Sequence, residues 1–189
     1  MFKQIILLFA LISTCFSASG WGGCPDTFRP GVEFNTTDYL GKWYEIARHN
    51  TIPFQKGDCG TATYSFKDEN SIGVLNKEKT PEKNVEIVGT ATKTKDPFRF
   101  SLRFGDSILS KVFTGDYRVA STDYKNFAIV YSCFDYFFGR FYYAWILSRT
   151  PVMPDELLQK ALKELDTVYG IKKAEMRFNN HTKELCGDH

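Results

Sequence analysis

Few side chains in this sequence can carry out covalent or acid–base chemistry. There are five cysteines and three histidines in 189 residues. Their spacing matches no metal-ligand motif, and neither a Gly-rich phosphate loop nor a nucleophile elbow is visible. Cys15 falls in an apolar N-terminal stretch, which leaves Cys24, Cys59, Cys133 and Cys186 as an even set. In an exported chain an even set reads as a disulfide framework, with three possible connectivities. A cysteine left free could instead act as a nucleophile. His49 ends a predicted strand with its side chain on the inward parity, where it could touch a ligand or a haem. A histidine satisfied by its neighbours, or simply exposed, is the plainer reading. His181 and His189 lie in the tail, and Met153 and Met176 are too few to argue a redox role. Glu78 ends another predicted strand. Inside a cavity it would bind a ligand hydroxyl or a cation, and at a strand end it would simply be solvated. Aromatic surface dominates instead, with 17 Phe, 10 Tyr and an aromatic content of 16%. Such rings fill a core or wall a cavity for a flat or greasy ligand.

The N-terminus reads as an export signal. Lys3, the apolar run from Ile5 to Ile12 and the small residues through Ser19 and Gly20 have the form of a secretory signal peptide. The run is too short to span a bilayer, which takes about 20 residues. A leader over 1–19, with cleavage within 17–20, is therefore expected before a single domain over 20–189. Lipid attachment at Cys15 is the alternative, and Thr14 directly before it fits poorly. Asn35-Thr36-Thr37 and Asn180-His181-Thr182 are N-glycosylation sequons. The net charge of +2 is spread without a basic stripe, which argues against a nucleic-acid-binding surface.

Turn signals divide the domain into short extended segments. Strands are expected over 42–49, 60–66, 71–78, 85–93, 98–104, 115–121, 126–133 and 142–148. In the fifth, Phe98, Phe100, Leu102 and Phe104 alternate with Arg99, Ser101 and Arg103. Eight such strands make a sandwich or an up-and-down barrel. In the first strand the period of two puts Trp43, Glu45 and Ala47 on one face and Tyr44, Ile46 and Arg48 on the other. One helix starts at Pro154-Asp155-Glu156 and can be capped by Gly170. Its stripe of Leu158, Leu162, Leu165 and Tyr169 should pack outside the sheet, against Tyr44 and Ile46. A short last strand is expected over 174–178.

Three regions carry a resemblance. Gly41-Lys42-Trp43 opens the first strand, Thr122-Asp123-Tyr124 lies between two late strands, and Arg149 follows the last barrel strand. In order and spacing these resemble the three signature regions of the lipocalin family. The stretches GKWYEIAR, STDYKNFAIVYSC and YAWILSRTP look most like its apolipoprotein D branch, which includes the bacterial-type lipocalins. The resemblance implies an all-β fold: an eight-stranded antiparallel up-and-down barrel, one C-terminal α-helix packed outside, and a short ninth strand. It implies the pairings Cys24–Cys133 and Cys59–Cys186. It also implies that Gly41, Trp43, Thr122, Asp123, Tyr124 and Arg149 are structural, closing the barrel floor, with Arg149 stacked across the Trp43 ring.

A barrel of this size holds one small ligand. By their likeness to apolipoprotein D positions, Tyr64, Asn76, Glu78, Tyr117, Trp145 and Leu147 are expected to contact it; strand parity adds Tyr143, and alternation adds Phe98, Phe100 and Leu102. Three mouth loops are greasy: Phe54 in the first, Ile108 and Leu109 in the third, and Phe134, Tyr136, Phe137 and Phe138 in the fourth. Exposed, they would touch a membrane or lipid particle; folded inward, they would close the lid. The expected protein is a secreted monomer without a cofactor that carries a fatty acid, lysophospholipid, sterol, retinoid, carotenoid or tetrapyrrole. A lipocalin-type enzyme acting on a lipid, or a scavenging or defence protein, are the alternatives.

Overall fold

A chain that closes a sheet into a barrel must bend sharply where its first long strand begins. Gly41 does this with φ +94°, and a Cβ there would stand 3.3 Å from the Arg149 guanidinium. The computed structural model describes residues 19–25, 31–105 and 114–187. Its elements are β1 (Ser19–Trp21), α1 (Thr36–Tyr39), β2 (Gly41–His49), β3 (Asp58–Asp68), β4 (Ser71–Lys79), β5 (Asn84–Lys93) and β6 (Arg99–Phe104). There follow β7 (Gly115–Thr122), β8 (Phe127–Tyr136), β9 (Gly139–Ser148), α2 (Asp155–Glu164), β10 (Met176–Phe178) and α3 (Lys183–Cys186). From β2 to β9 each strand pairs antiparallel with the next, and β9 returns to β2, closing an eight-stranded barrel. The expected leader lies outside the described residues except for Ser19, as do Cys15, Ile108, Leu109 and His189.

Two apolar layers result from alternation along the strands. The inner one gathers Trp43, Tyr64, Ile72, Val74, Phe100, Val119, Val130 and Leu147. The outer one joins Tyr44, Ile46, Ile129 and Ile146 to Ala161, Leu162, Leu165 and Tyr169 of the helical segment. The helical segment meets β8, with the Tyr169 ring 4.5 Å from that of Tyr131 and the Lys160 ammonium 5.1 Å over Phe127, whereas the Tyr44 ring of β2 meets His181 at 5.6 Å. After Glu164 the helix widens into a π turn over Leu165–Tyr169, and Gly170 ends it with φ +73°.

Three expectations need correction. Strict alternation in β2 fails, because the register against β9 shifts between Glu45 and Ala47. One extra residue sits in this bulge, so Ile46 and Ala47 both join the outer layer and every later residue changes face. Arg48 thus turns to the inner side beside Trp145, and His49 turns outward against the Tyr142 ring. There the His49 Nδ1 shares a hydrogen bond with Thr51 Oγ1 at 2.8 Å, and burial lowers its pKa. His49 is not a lumen residue. Second, the mouth connection after β8 is no long loop. β8 and β9 run on to a tight turn at Phe137 and Phe138, with Tyr136 stacked on Phe141 at 4.4 Å. Third, beside the expected short last strand, observed as β10 on β2, the sheet gains an unforeseen β1 on Gly139–Phe141 of β9.

Disulfides join Cys24 to Cys133 and Cys59 to Cys186, across 109 and 127 residues. The closed end is built on Trp43, which is fully buried and donates from Nε1 to the Tyr39 carbonyl at 2.9 Å. Arg149 lies 3.7 Å over its ring and donates to the carbonyls of Tyr124, Lys42 and Asp38 at 3.0, 3.0 and 2.7 Å. Thr122 Oγ1 donates to the Phe127 carbonyl at 2.8 Å and accepts the Tyr124 N–H at 2.9 Å. Asp123 is a turn acceptor. Burial alone would raise its carboxyl, but N–H groups of Phe127, Asn126 and Lys125 hold it below its ordinary value. Above this plug, Tyr117 shares its hydroxyl with Tyr39 at 2.7 Å and Tyr64 at 2.6 Å. Burial raises all three phenols, Tyr64 to about 12.

Arg149→Lys keeps the charge but loses the planar stack and the fork of donors. It is expected to lower stability by about 2 kcal/mol, read as a shift in the urea midpoint. The tyrosines set an alkaline limit. An unfolded phenol ionises near pH 10 while folded Tyr64 holds its proton to about 12, so the unfolded state binds fewer protons in that window. Stability is thus full below pH 10 and falls as the pH rises towards 12. Urea midpoints measured across this range, with phenolate absorbance followed in parallel, check the slope; Tyr64→Phe should flatten it.

Candidate functional site: the barrel lumen

The inner layer does not fill the barrel. A cavity of about 340 Å³ remains between the closed end and the mouth. Each strand contributes through its inward positions: Ala62 and Tyr64 of β3, Asn76 and Glu78 of β4, Val85 and Ile87 of β5, Leu102 and Phe104 of β6, and Tyr117 of β7. Val130 and Ser132 of β8 stand beside Trp145 and Tyr143 of the neighbouring β9 and, with Leu147, complete that side of the wall. The wall is chiefly aromatic and aliphatic, as in pockets that bury an oily molecule. The neutral hydroxyls of Tyr64 and Tyr117 lie at its base.

A polar seam crosses this wall near the mouth. Glu45 reaches the lumen from β2, and its Oε1 accepts from Arg48 and from Asn179 Nδ2, each at 2.5 Å. Its Oε2 accepts from Gln55 Nε2 at 3.0 Å, and Gln55 Oε1 accepts the Trp145 indole N–H at 2.7 Å. Arg48 also donates to the Gly57 carbonyl at 2.8 Å, which Arg177 bonds at 2.8 Å as well. Glu78 accepts the Gly57 N–H at 3.1 Å and the Lys56 N–H at 3.4 Å. The connection between β2 and β3 is thereby tied across the opening. Gly60 makes room for this, since a Cβ there would meet the Glu45 Cβ at 3.1 Å.

Eight residues expected at the site line this cavity: Tyr64, Asn76, Glu78, Leu102, Tyr117, Tyr143, Trp145 and Leu147. Phe98 and Phe100 do not. They lie below it, buried against Phe34 with ring centroids at 5.2 and 5.6 Å. Alternation gives their face correctly but carries no information about depth along the barrel axis. Phe104, Val130 and Ser132 share inward parity and could have been found by it. Glu45 also has inward parity, whereas the inward turn of Arg48 depends on the bulge. Nothing local marks Gln55, which arrives from a loop. Phe54 is exposed at the rim with its ring 5.9 Å from that of Tyr143, and it also lines the cavity. Asn35 and Asn180 are both exposed; Asn35 caps α1, accepting the Asp38 N–H at 3.1 Å.

Among the described residues no group of three or more His, Cys, Asp or Glu side chains could hold a metal ion. Comparison with known proteins agrees with the geometry. The model of the lipocalin / cytosolic fatty-acid binding protein family matches residues 40–183. Apolipoprotein D of Rattus norvegicus is 33% identical over 165 residues, covering 82% of this chain and 83% of that protein. Apolipoprotein D of Bos taurus is 34% identical over 186 residues, covering 93% and 94%. Among solved structures, apocrustacyanin C2 superposes with a TM-score of 0.75 at 21% identity, over 89% of this chain and 93% of that one. That likeness concerns the fold. Signature residues at the closed end, a hollow eight-stranded barrel and these matches together establish that the chain belongs to the lipocalin family, which binds small hydrophobic ligands.

Proposed function

We propose that this chain is an exported, monomeric carrier that holds one small hydrophobic ligand in the lumen. The observation that carries this reading is the unfilled, aromatic-walled space of about 340 Å³ above the closed end. Tyr64, Asn76, Glu78, Leu102, Tyr117, Tyr143, Trp145 and Leu147 are its proposed contacts. The ligand class spans fatty acids, lysophospholipids, sterols, retinoids, carotenoids and tetrapyrroles. Export is supported by the leader over 1–19, the two sequons and two long-range disulfides. A carrier is favoured over an enzyme because the four cysteines from Cys24 onward are paired, which leaves no thiol nucleophile among them.

We further propose that the mouth docks on a lipid surface while ligand is loaded. Phe137 and Phe138 at the β8–β9 turn are 100% and 81% exposed, and Trp21, paired with Gly139, is 89% exposed. Three large rings at one end of a sheet form the kind of surface that lies at a bilayer interface.

Organic extraction of protein from its native source, followed by mass spectrometry, should recover one dominant lipophilic compound. Leu102→Trp fills the lumen and should weaken uptake of the fluorescent dye N-phenyl-1-naphthylamine on the order of tenfold, with the far-ultraviolet dichroism retained. Undiminished uptake would place the dye outside the barrel. In vesicle flotation the native protein should rise with the lipid and the double variant Phe137→Asp/Phe138→Asp should stay behind. A native protein that does not float ends the docking proposal.

A further inference from the structure

We propose that the head group admitted into the lumen is an uncharged hydrogen-bond donor, a hydroxyl, and that a carboxylate is excluded. This rests on the carrier reading and narrows its ligand class. It follows from which charges face the cavity and what each is already doing.

Among the described residues three carboxylates line the cavity: Glu45, Glu78 and Asp116. Glu45 is matched by Arg48 at 2.5 Å in a nearly solvent-free pair. Arg48 spends a further donor on the Gly57 carbonyl at 2.8 Å, so its guanidinium is committed within the wall. Asp116 is matched by two guanidinium groups, Arg99 at 2.5 Å and Arg118 at 2.7 Å. Among the described residues the lining holds one basic residue, Lys77, and its ammonium bonds Glu86 at 2.6 Å on the outer face of the sheet. Among the described residues Glu78 therefore stands without a cationic partner and accepts the backbone N–H groups of Gly57 and Lys56. A ligand carboxylate brought alongside it would lose its hydration, find no cation, and meet a like charge in a low-dielectric space.

The same wall offers acceptors. Asn76 lies two residues before Glu78 on the same face of β4, and its side-chain oxygen is buried with no hydrogen-bond partner. An unpaired buried acceptor is costly until a donor reaches it. A hydroxyl placed beside Asn76 and Glu78 can donate its one proton to either acceptor without adding negative charge. A carboxylate can donate to neither.

The test is competition for N-phenyl-1-naphthylamine by 1-dodecanol and by dodecanoate at pH 8, in the native protein and in Glu78→Gln. Dodecanol should displace the dye at about one-tenth the concentration of dodecanoate, and Glu78→Gln should shrink that ratio to about threefold or less as the repulsion is removed. The greater oiliness of the alcohol would by itself give a gap that the substitution leaves unchanged, and that result overturns the assignment. So does dodecanoate displacing the dye as well as dodecanol in the native protein, an outcome that leaves the carrier reading intact. Failure of the native protein to take up the dye or either competitor would instead remove the carrier reading and this inference with it.

Discussion

Everything in this barrel depends on the seam where β2 meets β9. The other seven pairings within the barrel join neighbours in sequence, so hairpins bring them together locally. The seam joins the two ends of the meander, and it forms only if β2 coils enough to reach back. The one-residue bulge between Glu45 and Ala47 supplies that extra coil. It also sorts side chains. Ile46 and Ala47 both reach the layer under the helix, while Glu45 and Arg48 both reach the inside, three residues apart and 2.5 Å from each other. Without the bulge Arg48 would face the helix-side apolar layer and Glu45 would be a buried anion with no guanidinium beside it.

The two ends of the barrel are stabilised by different means. The closed end is a plug of rings held by one cation: Trp43 beneath Arg149, with the phenols of Tyr39, Tyr117 and Tyr64 above. The open end is organised by hydrogen bonds to the connection between β2 and β3, through Gln55, Gly57, Glu78 and the tail residues Arg177 and Asn179. The Cys59–Cys186 disulfide fastens that tail to the start of β3, directly after the same connection. Between them lies a stretch of wall with apolar side chains and few polar atoms. A guest is thus framed by a rigid base and a pinned rim, and the middle of the barrel is left empty.

Much of this is legible from residue order. Alternation in 98–104 and 142–148 locates strands and faces, the regularly spaced leucines locate the outer helix, and Gly41, Trp43 and Arg149 mark the closed end. The faces fail where a strand departs from its period. Period alone puts His49 inward, because no local signal in Tyr44 to Arg48 betrays a bulge; the bulge is enforced by pairing with a strand about a hundred residues away. Depth is not encoded either. Phe98 and Phe100 share a face with Leu102, yet of the three only Leu102 lies high enough to touch the cavity. Gln55 comes from a loop, where position is decided by whatever the loop is tied to. Strand lengths at the mouth escape for a related reason, since Phe134 to Tyr136 remain extended through pairing with β9.

If the proposed leader is removed, the three-residue strand β1 gives the position of the cut a structural weight. Its pairing with Gly139, Arg140 and Phe141 covers backbone that lies beyond the reach of β2. A cut after residue 17 would leave that cover whole, whereas a cut after Gly20 would strip away Ser19 and Gly20 and bare a sheet margin directly beside two solvent-facing phenylalanines. Bare margins of that kind recruit other chains. Forms differing by three residues at the amino terminus would then differ in self-association, so that, on the proposed export reading, a peptidase's choice of bond would set how long the product stays dispersed.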